Sequence, residues 1–165
     1  MNMTHYMQLL ADNQPWNLLI FMVVPVVLAE TVAVTELFVL FRRATSGALV
    51  ALNRSASILG GFYFLGVFAY LSVTAAIPLT ATGGWRGPAD VIAVGFYLLG
   101  VVPLVGLALI DLRWVGRGLS DEARMRWHAG CVAAFLVIAH VAMIFGMLDP
   151  TVLGAAPAAM EHGAH

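Results

Sequence analysis

The sequence predicts an all-α integral membrane protein, an up-and-down bundle of four transmembrane helices that forms one domain over residues 1–165. Three observations lead to this fold class. Hydrophobic residues make up 61% of the chain and charged residues 10%, whereas soluble domains carry about a quarter charged residues. The apolar residues form four segments, each near the roughly 20 residues that cross a hydrocarbon core. Short connections separate them, which favours antiparallel packing of successive helices.

The four segments predict helices over residues 17–41, 56–79, 90–110 and 127–148. The first is too long for a signal-peptide core and no basic residue precedes it, so we expect it to stay uncleaved. Pro25 and Pro103 lie inside the first and third helices and should loosen or kink them, unless neighbouring groups satisfy the freed carbonyls. Pro88 and Asp90 suit the start of the third helix.

Arginine placement predicts the orientation of the bundle. Seven arginines lie between helices one and two or between helices three and four, and one lies on the other side: Arg42, Arg43, Arg54, Arg113, Arg117, Arg124 and Arg126 against Arg86. Short basic loops stay cytoplasmic. Both termini are therefore predicted to face outward from a bacterial inner (plasma) membrane.

Two carboxylates, Glu30 and Glu36, lie inside the apolar run VVLAETVAVTELFVLF. At 1.5 Å per residue, Glu36 lies about 28 Å from the outer end of the first helix. There we expect an interfacial ion pair with a nearby arginine, Arg42, Arg43 or Arg54. Glu30 lies about 20 Å deep, past the midplane. An ionised carboxylate there must be protonated, paired or exposed to a water-filled cavity, so Glu30 is a candidate functional residue.

The fourth helix offers a partner for Glu30. His140, Met143 and Met147 lie on roughly one face, and Met22 would extend this column outward on the first helix. If the first and fourth helices are neighbours, His140 comes within about two helical turns of Glu30 in depth. Glu30, Glu36 and His140 therefore form the predicted intramembrane polar site. The alternative is a hydrogen-bonded structural histidine among ordinary core methionines.

Both chain ends are rich in thioether and imidazole groups, on the side of the membrane predicted to be outside: Met1, Met3, His5, Met7, Met160, His162 and His165. Such groups are ligands for soft metals, especially Cu(I). The predicted metal ligands are His140, Met143, Met147, Met160, His162 and His165. Residues 150–165 are predicted to be a flexible tail that contains Met and His, and the alternative is that both chain ends are disordered tails without a metal.

Other cofactors and activities are disfavoured. His128, at the start of the fourth helix, is predicted to be interfacial, and it lies about 18 Å along the helix from His140, too far for both to ligate one haem. Copper is the candidate cofactor, and a single haem held by His140 and a methionine is the less favoured alternative. The chain has no P-loop, HExxH motif or nucleophile elbow, so we predict that it is not an enzyme. One cysteine, Cys131, excludes an internal disulfide, and a net charge of −1 gives no support to nucleic-acid binding.

Three stretches carry a family resemblance: HYMQLLADNQPWN, LAETVAVTE and AHVAMIFGMLDP. They resemble small bacterial membrane proteins of about this length that are labelled permeases without a known substrate. The resemblance covers nearly the whole chain and implies an inner-membrane location and transport. It implies no binding residues.

Two functions are compatible with these patterns. The first is a small permease-like protein that binds or moves a cation, copper or a proton, through Glu30, His140 and the methionines. Four helices are few for a monomeric carrier, so this reading predicts a homo-oligomer or a larger membrane complex. The second is a non-transporting accessory subunit of a larger membrane complex, such as a respiratory one, in which Glu30 and His140 form an internal hydrogen bond.

Overall fold

The protein, as a computed structural model that describes residues 3–151, is helical, with no strand in that range. A short helix α1 covers His5–Ala11. Four long helices follow: α2 Trp16–Arg42, α3 Ala48–Thr82, α4 Pro88–Asp111 and α5 Asp121–Met147. Each of these four is long and apolar enough to cross a membrane.

The helix boundaries agree with the sequence prediction for α2 and α4, but α3 and α5 begin earlier than predicted. α3 begins at Ala48 rather than at residue 56, and α5 at Asp121 rather than at 127. The polar residues there suggested loops, yet each helix continues beyond its apolar stretch. The Ser120 side chain accepts the Ala123 N–H, and Asp121 and Glu122 occupy the first turn of α5, which stabilises this start. Helix α1 was not predicted.

Both predicted proline distortions are present. In α2, a π-helical turn over Leu19–Val23 precedes Pro25. Pro25 cannot donate to the Phe21 carbonyl, which instead accepts a hydrogen bond from the Tyr97 hydroxyl of α4 at 2.6 Å. In α4, the helix is interrupted at Gly100, three residues before Pro103, and consists of Pro88–Leu99 and Val101–Asp111. A second π-helical turn, Ser72–Ala76, precedes Pro78 in α3.

Successive long helices pack side by side, α2 on α3, α3 on α4 and α4 on α5, while α2 and α5 touch only sparsely. The buried core includes Val32, Phe64, Tyr97, Leu104 and Leu107. We call the end with residues 43–47 and 112–120 the loop end and the opposite one the terminal end. Helix α1 contacts α4 and α5 at the terminal end, where the Thr4 hydroxyl donates to the Gly146 carbonyl at 2.7 Å. Both ends of the described chain therefore lie on the same side of the bundle.

Gly61 sets the closest approach of α3 to α4. A Cβ added at Gly61 would lie 2.6 Å from the Ala108 Cβ and 2.7 Å from the Leu104 carbonyl oxygen. The backbones must separate to accept it, so we expect Gly61→Ala to lower the free energy of unfolding by about 1–3 kcal/mol. Thermal unfolding in detergent, followed by circular dichroism, measures this. Gly66→Ala is the matched control, because a Cβ there meets nothing within 4 Å; equal stability of both variants would contradict the prediction.

Candidate functional site

A buried polar cluster joins all four long helices near the loop end. It consists of Glu36 on α2, Asn53 and Ser57 on α3, Asp111 on α4 and His128 on α5, and we call it the loop-end cluster. Glu36 is 4% exposed, His128 6%, and Ser57 fully buried. Because buried polar groups need partners, each helix contributes a group that the others satisfy.

The His128 imidazole lies between two carboxylates. Its Nε2 is hydrogen-bonded to Oδ2 of Asp111 at 3.2 Å, and its Nδ1 lies 2.8 Å from Oε2 of Glu36. The second contact is close enough for an ion pair but lacks the alignment of a hydrogen bond, so Nδ1 is buried without a hydrogen-bond partner in residues 3–151. An imidazole can meet two carboxylates with N–H donors only in its protonated form.

Neutral side chains of α3 complete the cluster. The Asn53 amide nitrogen lies 3.2 Å from Glu36 Oε2, 2.9 Å from Thr35 Oγ1 and 3.1 Å from the Val32 carbonyl oxygen. The Ser57 hydroxyl contacts both Asp111 Oδ2 and the Arg54 carbonyl oxygen. These donors orient the carboxylates without adding positive charge.

Two predictions at the loop end are wrong. Glu36 was expected to pair with Arg42, Arg43 or Arg54, but these arginines are exposed and the carboxylate turns into the bundle, towards His128. His128 was expected at the interface and is instead buried, because α5 begins a turn and a half earlier and carries it inside. One feature of the sequence could have predicted the cluster. Every apolar helix carries one or two of the cluster's polar residues, and these lie at similar distances from the same end of the bundle.

A groove of about 430 Å³ opens between α2 and α5, where those helices touch sparsely, and extends beneath α1. Its lining is mostly apolar and aromatic. Glu30 and His140 both line it, and so do five methionines: Met3, Met7, Met22, Met143 and Met147. The groove thus brings the predicted intramembrane column together with Glu30 and with two methionines of the N-terminal segment.

Glu30 and His140 share the groove without forming an ion pair with each other. Both residues are exposed and belong to its lining. The His140 Nδ1 is hydrogen-bonded to the Leu136 carbonyl oxygen of its own helix at 2.6 Å, which leaves Nε2 as the second ring nitrogen. Tyr6 of α1 also lines the groove, and burial raises its pKa to about 12, so its hydroxyl is neutral. Glu30 is the acidic residue of the lining.

A second polar cluster fastens α1 to the terminal end. Asp90 is fully buried and accepts hydrogen bonds from the backbone N–H groups of His5 at 2.7 Å and Arg86 at 3.2 Å. The His5 N–H donates to Oδ1 and the Arg86 N–H to Oδ2, and the His5 Nδ1 also lies 2.5 Å from Oδ2. The Arg86 guanidinium donates to the Met3 carbonyl and contacts the Gln8 side chain. This arrangement holds Met3 and Met7 against the mouth of the groove.

The predicted metal ligands therefore fall into two groups. His140, Met143 and Met147 line the groove, whereas Met160, His162 and His165, like Met1, lie outside the described residues. Within residues 3–151, no group of three or more His, Cys, Asp or Glu side chains is arranged to hold a metal ion. Any metal in the groove would depend on methionine sulfur.

A family model described as a family of unknown function, DUF6803, matches residues 1–162. The chain belongs to DUF6803. Comparison with curated proteins and with solved structures gives no significant match. The DUF6803 description states no activity, so function has to be argued from the groove and the two polar clusters.

The loop-end cluster of this DUF6803 protein predicts a large stability difference between two histidine variants. His128→Ala leaves two buried carboxylates without their shared partner, and we expect a loss of about 3–5 kcal/mol in unfolding free energy. His140→Ala removes an exposed side chain bonded only to its own helix, and we expect a change within about 0.5 kcal/mol. Thermal unfolding in one detergent compares them. Equal losses would contradict the structural role given to His128.

Proposed function

We propose that this DUF6803 protein is a small permease-like protein of the bacterial inner membrane, with both chain ends outside, that binds Cu(I) in the groove between α2 and α5. The observation that carries the proposal is the lining of the groove. Every methionine in residues 3–151 except Met125 borders it, together with His140 and Glu30.

The chemistry of the lining favours Cu(I) over other cations. Thioether sulfur is a soft ligand that suits Cu(I), while Mg²⁺ and Ca²⁺ prefer oxygen ligands. Met and His ligands are neutral, so a cation held by them in an apolar groove keeps its charge and requires compensation. The Glu30 carboxylate supplies one negative charge, which balances a monovalent ion and leaves a divalent ion half compensated.

The ligands are spaced in depth along the groove. Met147 ends α5, and Met143 and His140 follow at intervals of about 6 and 4.5 Å towards the interior. Met22 lies about 9 Å into α2 and Glu30 about 21 Å. Met3 and Met7 lie at the mouth. An ion entering from the terminal end would pass from sulfur ligands to imidazole and then to the carboxylate, a stepwise path suited to transfer rather than to permanent storage.

An accessory subunit is the second candidate function. The observation that favours it is that the groove lies where α2 and α5 touch sparsely and is lined mainly by apolar groups, so a transmembrane helix of a larger complex would fit there as an alternative occupant. In that case Glu30 and His140 would bond to the partner helix, and the purified protein would bind no copper.

Replacing groove methionines should weaken Cu(I) binding. We expect Met22→Leu/Met143→Leu/Met147→Leu to reduce affinity at least about tenfold, because leucine keeps the volume and removes the sulfur ligands. Competition with a Cu(I) chelator under reducing conditions measures affinity, and X-ray absorption reports sulfur neighbours. All proteins carry Met160→Leu, His162→Gln and His165→Gln, so that the tail adds no ligands.

Met125→Leu is the matched control, since Met125 lies on α5 outside the groove. It should bind Cu(I) like the parent protein. Equal affinity of the triple variant and Met125→Leu would place the copper elsewhere, and no binding by either protein would favour the accessory function.

Orientation is tested separately by cysteine labelling in a Cys131→Ala background. Ser46→Cys lies in the basic loop-end connection and Thr82→Cys at the end of α3 on the terminal side. Because basic loops are retained in the cytoplasm, a membrane-impermeant maleimide should label Thr82→Cys in intact spheroplasts and Ser46→Cys only after lysis. The reverse pattern would place both chain ends inside.

A further inference from the structure

We propose that the loop-end cluster is a proton-binding site, which takes up one proton beyond that of the His128 imidazolium and releases it towards the loop end. The site comprises Glu36, Asp111 and His128, with Asn53 and Ser57 as neutral donors. It is distinct from the groove, because none of these residues lines the groove.

The first argument is the charge of the cluster. Two carboxylates and one imidazolium carry a net charge of −1, and one further proton on a carboxyl group makes the cluster neutral. Burial disfavours net charge, so it favours the neutral form of the cluster over the form with a charge of −1. Because both carboxylates contact the same imidazole ring, a proton that binds to one of them alters the contacts of the other.

The second argument is the orphaned ring nitrogen of His128. The side chain is 7% exposed, and Nδ1 lies 2.8 Å from Glu36 Oε2 without the alignment of a hydrogen bond. A buried donor left without an aligned acceptor is rare in a purely structural network. A small rotation of the ring or of the carboxylate would align a hydrogen bond between Nδ1 and Oε2. The site can therefore change between an arrangement with this hydrogen bond and one without it.

No other charged side chain in residues 3–151 compensates the cluster. The charged groups in the cluster are Glu36 from α2, Asp111 from α4 and His128 from α5. Helix α3 contributes only the neutral side chains of Asn53 and Ser57. Two arginines close to the cluster in sequence, Arg54 and Arg124, do not pair with it. The Arg54 guanidinium is exposed and makes no ion pair within the described chain, and Arg124 pairs with Asp121 at 2.6 Å.

The path for the proton leads through Asp111. Its side chain is 15% exposed, against 6% for Glu36, and it ends α4 at the loop end. Water can therefore reach Asp111 first, and His128 connects it to Glu36 through its two ring nitrogens. The imidazolium already holds a proton on both ring nitrogens, so the additional proton binds and leaves at Asp111. The imidazolium can give its Nδ1 proton to Glu36 or its Nε2 proton to Asp111, and in this way it shifts charge between the two carboxylates.

Infrared difference spectroscopy tests the site on metal-free protein in nanodiscs, so the result does not depend on copper. Acidification protonates the exposed carboxylates in any case, and we expect the cluster to add a protonated-carboxyl band of its own together with imidazole changes. We expect Glu36→Gln to remove or shift this band and Asp111→Asn to do the same, since both carboxylates belong to one coupled group. Glu30→Gln is the matched control, a carboxylate on the same helix outside the cluster, and should leave the band unchanged.

Circular dichroism tests whether each variant is folded. If a variant does not fold, the parent protein is measured with carbon-13-labelled Glu or Asp, because the isotope shift assigns the band to one residue type. A band that survives both Glu36→Gln and Asp111→Asn, or one that disappears only in Glu30→Gln, would overturn the proposal. A purely structural network would change the stability of the variants, and neither Glu36→Gln nor Asp111→Asn would change the carboxyl bands that acidification produces.

Discussion

The contact of the His128 imidazole with Glu36 and Asp111 holds the loop end together. Few side chains besides histidine can offer N–H donors in two opposite directions to two carboxylates. Because Glu36 and Asp111 come from α2 and α4, and Asn53 joins Glu36 from α3, this contact fixes the rotation and the register of all four long helices at once. In an apolar surrounding, an alternative register would leave buried charges unpaired, so the cluster specifies the packing by excluding other arrangements.

At the terminal end, hydrogen bonds from side-chain hydroxyls to backbone carbonyls hold the helices together, in addition to charged groups. Pro25 has no N–H to donate to the Phe21 carbonyl, which accepts a hydrogen bond from the Tyr97 hydroxyl instead. The Ile20 carbonyl in the same π-helical turn accepts from the Tyr63 hydroxyl at 2.9 Å. These bonds tie the irregular part of α2 to α3 and α4 and leave α5 free of them. The gap between α2 and α5 then becomes the groove, which α1 covers at its mouth.

The sequence was sufficient for the number of long helices, for the proline irregularities and for the placement of Glu30, His140, Met143 and Met147 on related faces, because these follow from hydrophobic runs and helical periodicity. It was insufficient for Glu36 and His128. Their closeness in sequence to arginines suggested an interfacial position. Their actual partners depend on how the helices pack against one another, which the sequence pattern does not show. Helix α1 was missed because its seven residues depend on Asp90 and Gly146, which are distant in sequence.

Glu30 and Glu36 show how one helix can present the same chemistry to two environments. They lie six residues apart on α2, about 9 Å along the axis and about 120° around it. Glu36 therefore faces the buried imidazole, while Glu30 faces the open groove. Any rotation or tilt of α2 that alters the access of one carboxylate must also move the other. The π-helical turn and Pro25 divide α2 on the terminal side of both acids, so a change at this point would move the two carboxylates together as parts of one rigid segment. The cation proposed beside Glu30 and the proton proposed beside Glu36 would in this way be linked through the geometry of a single helix.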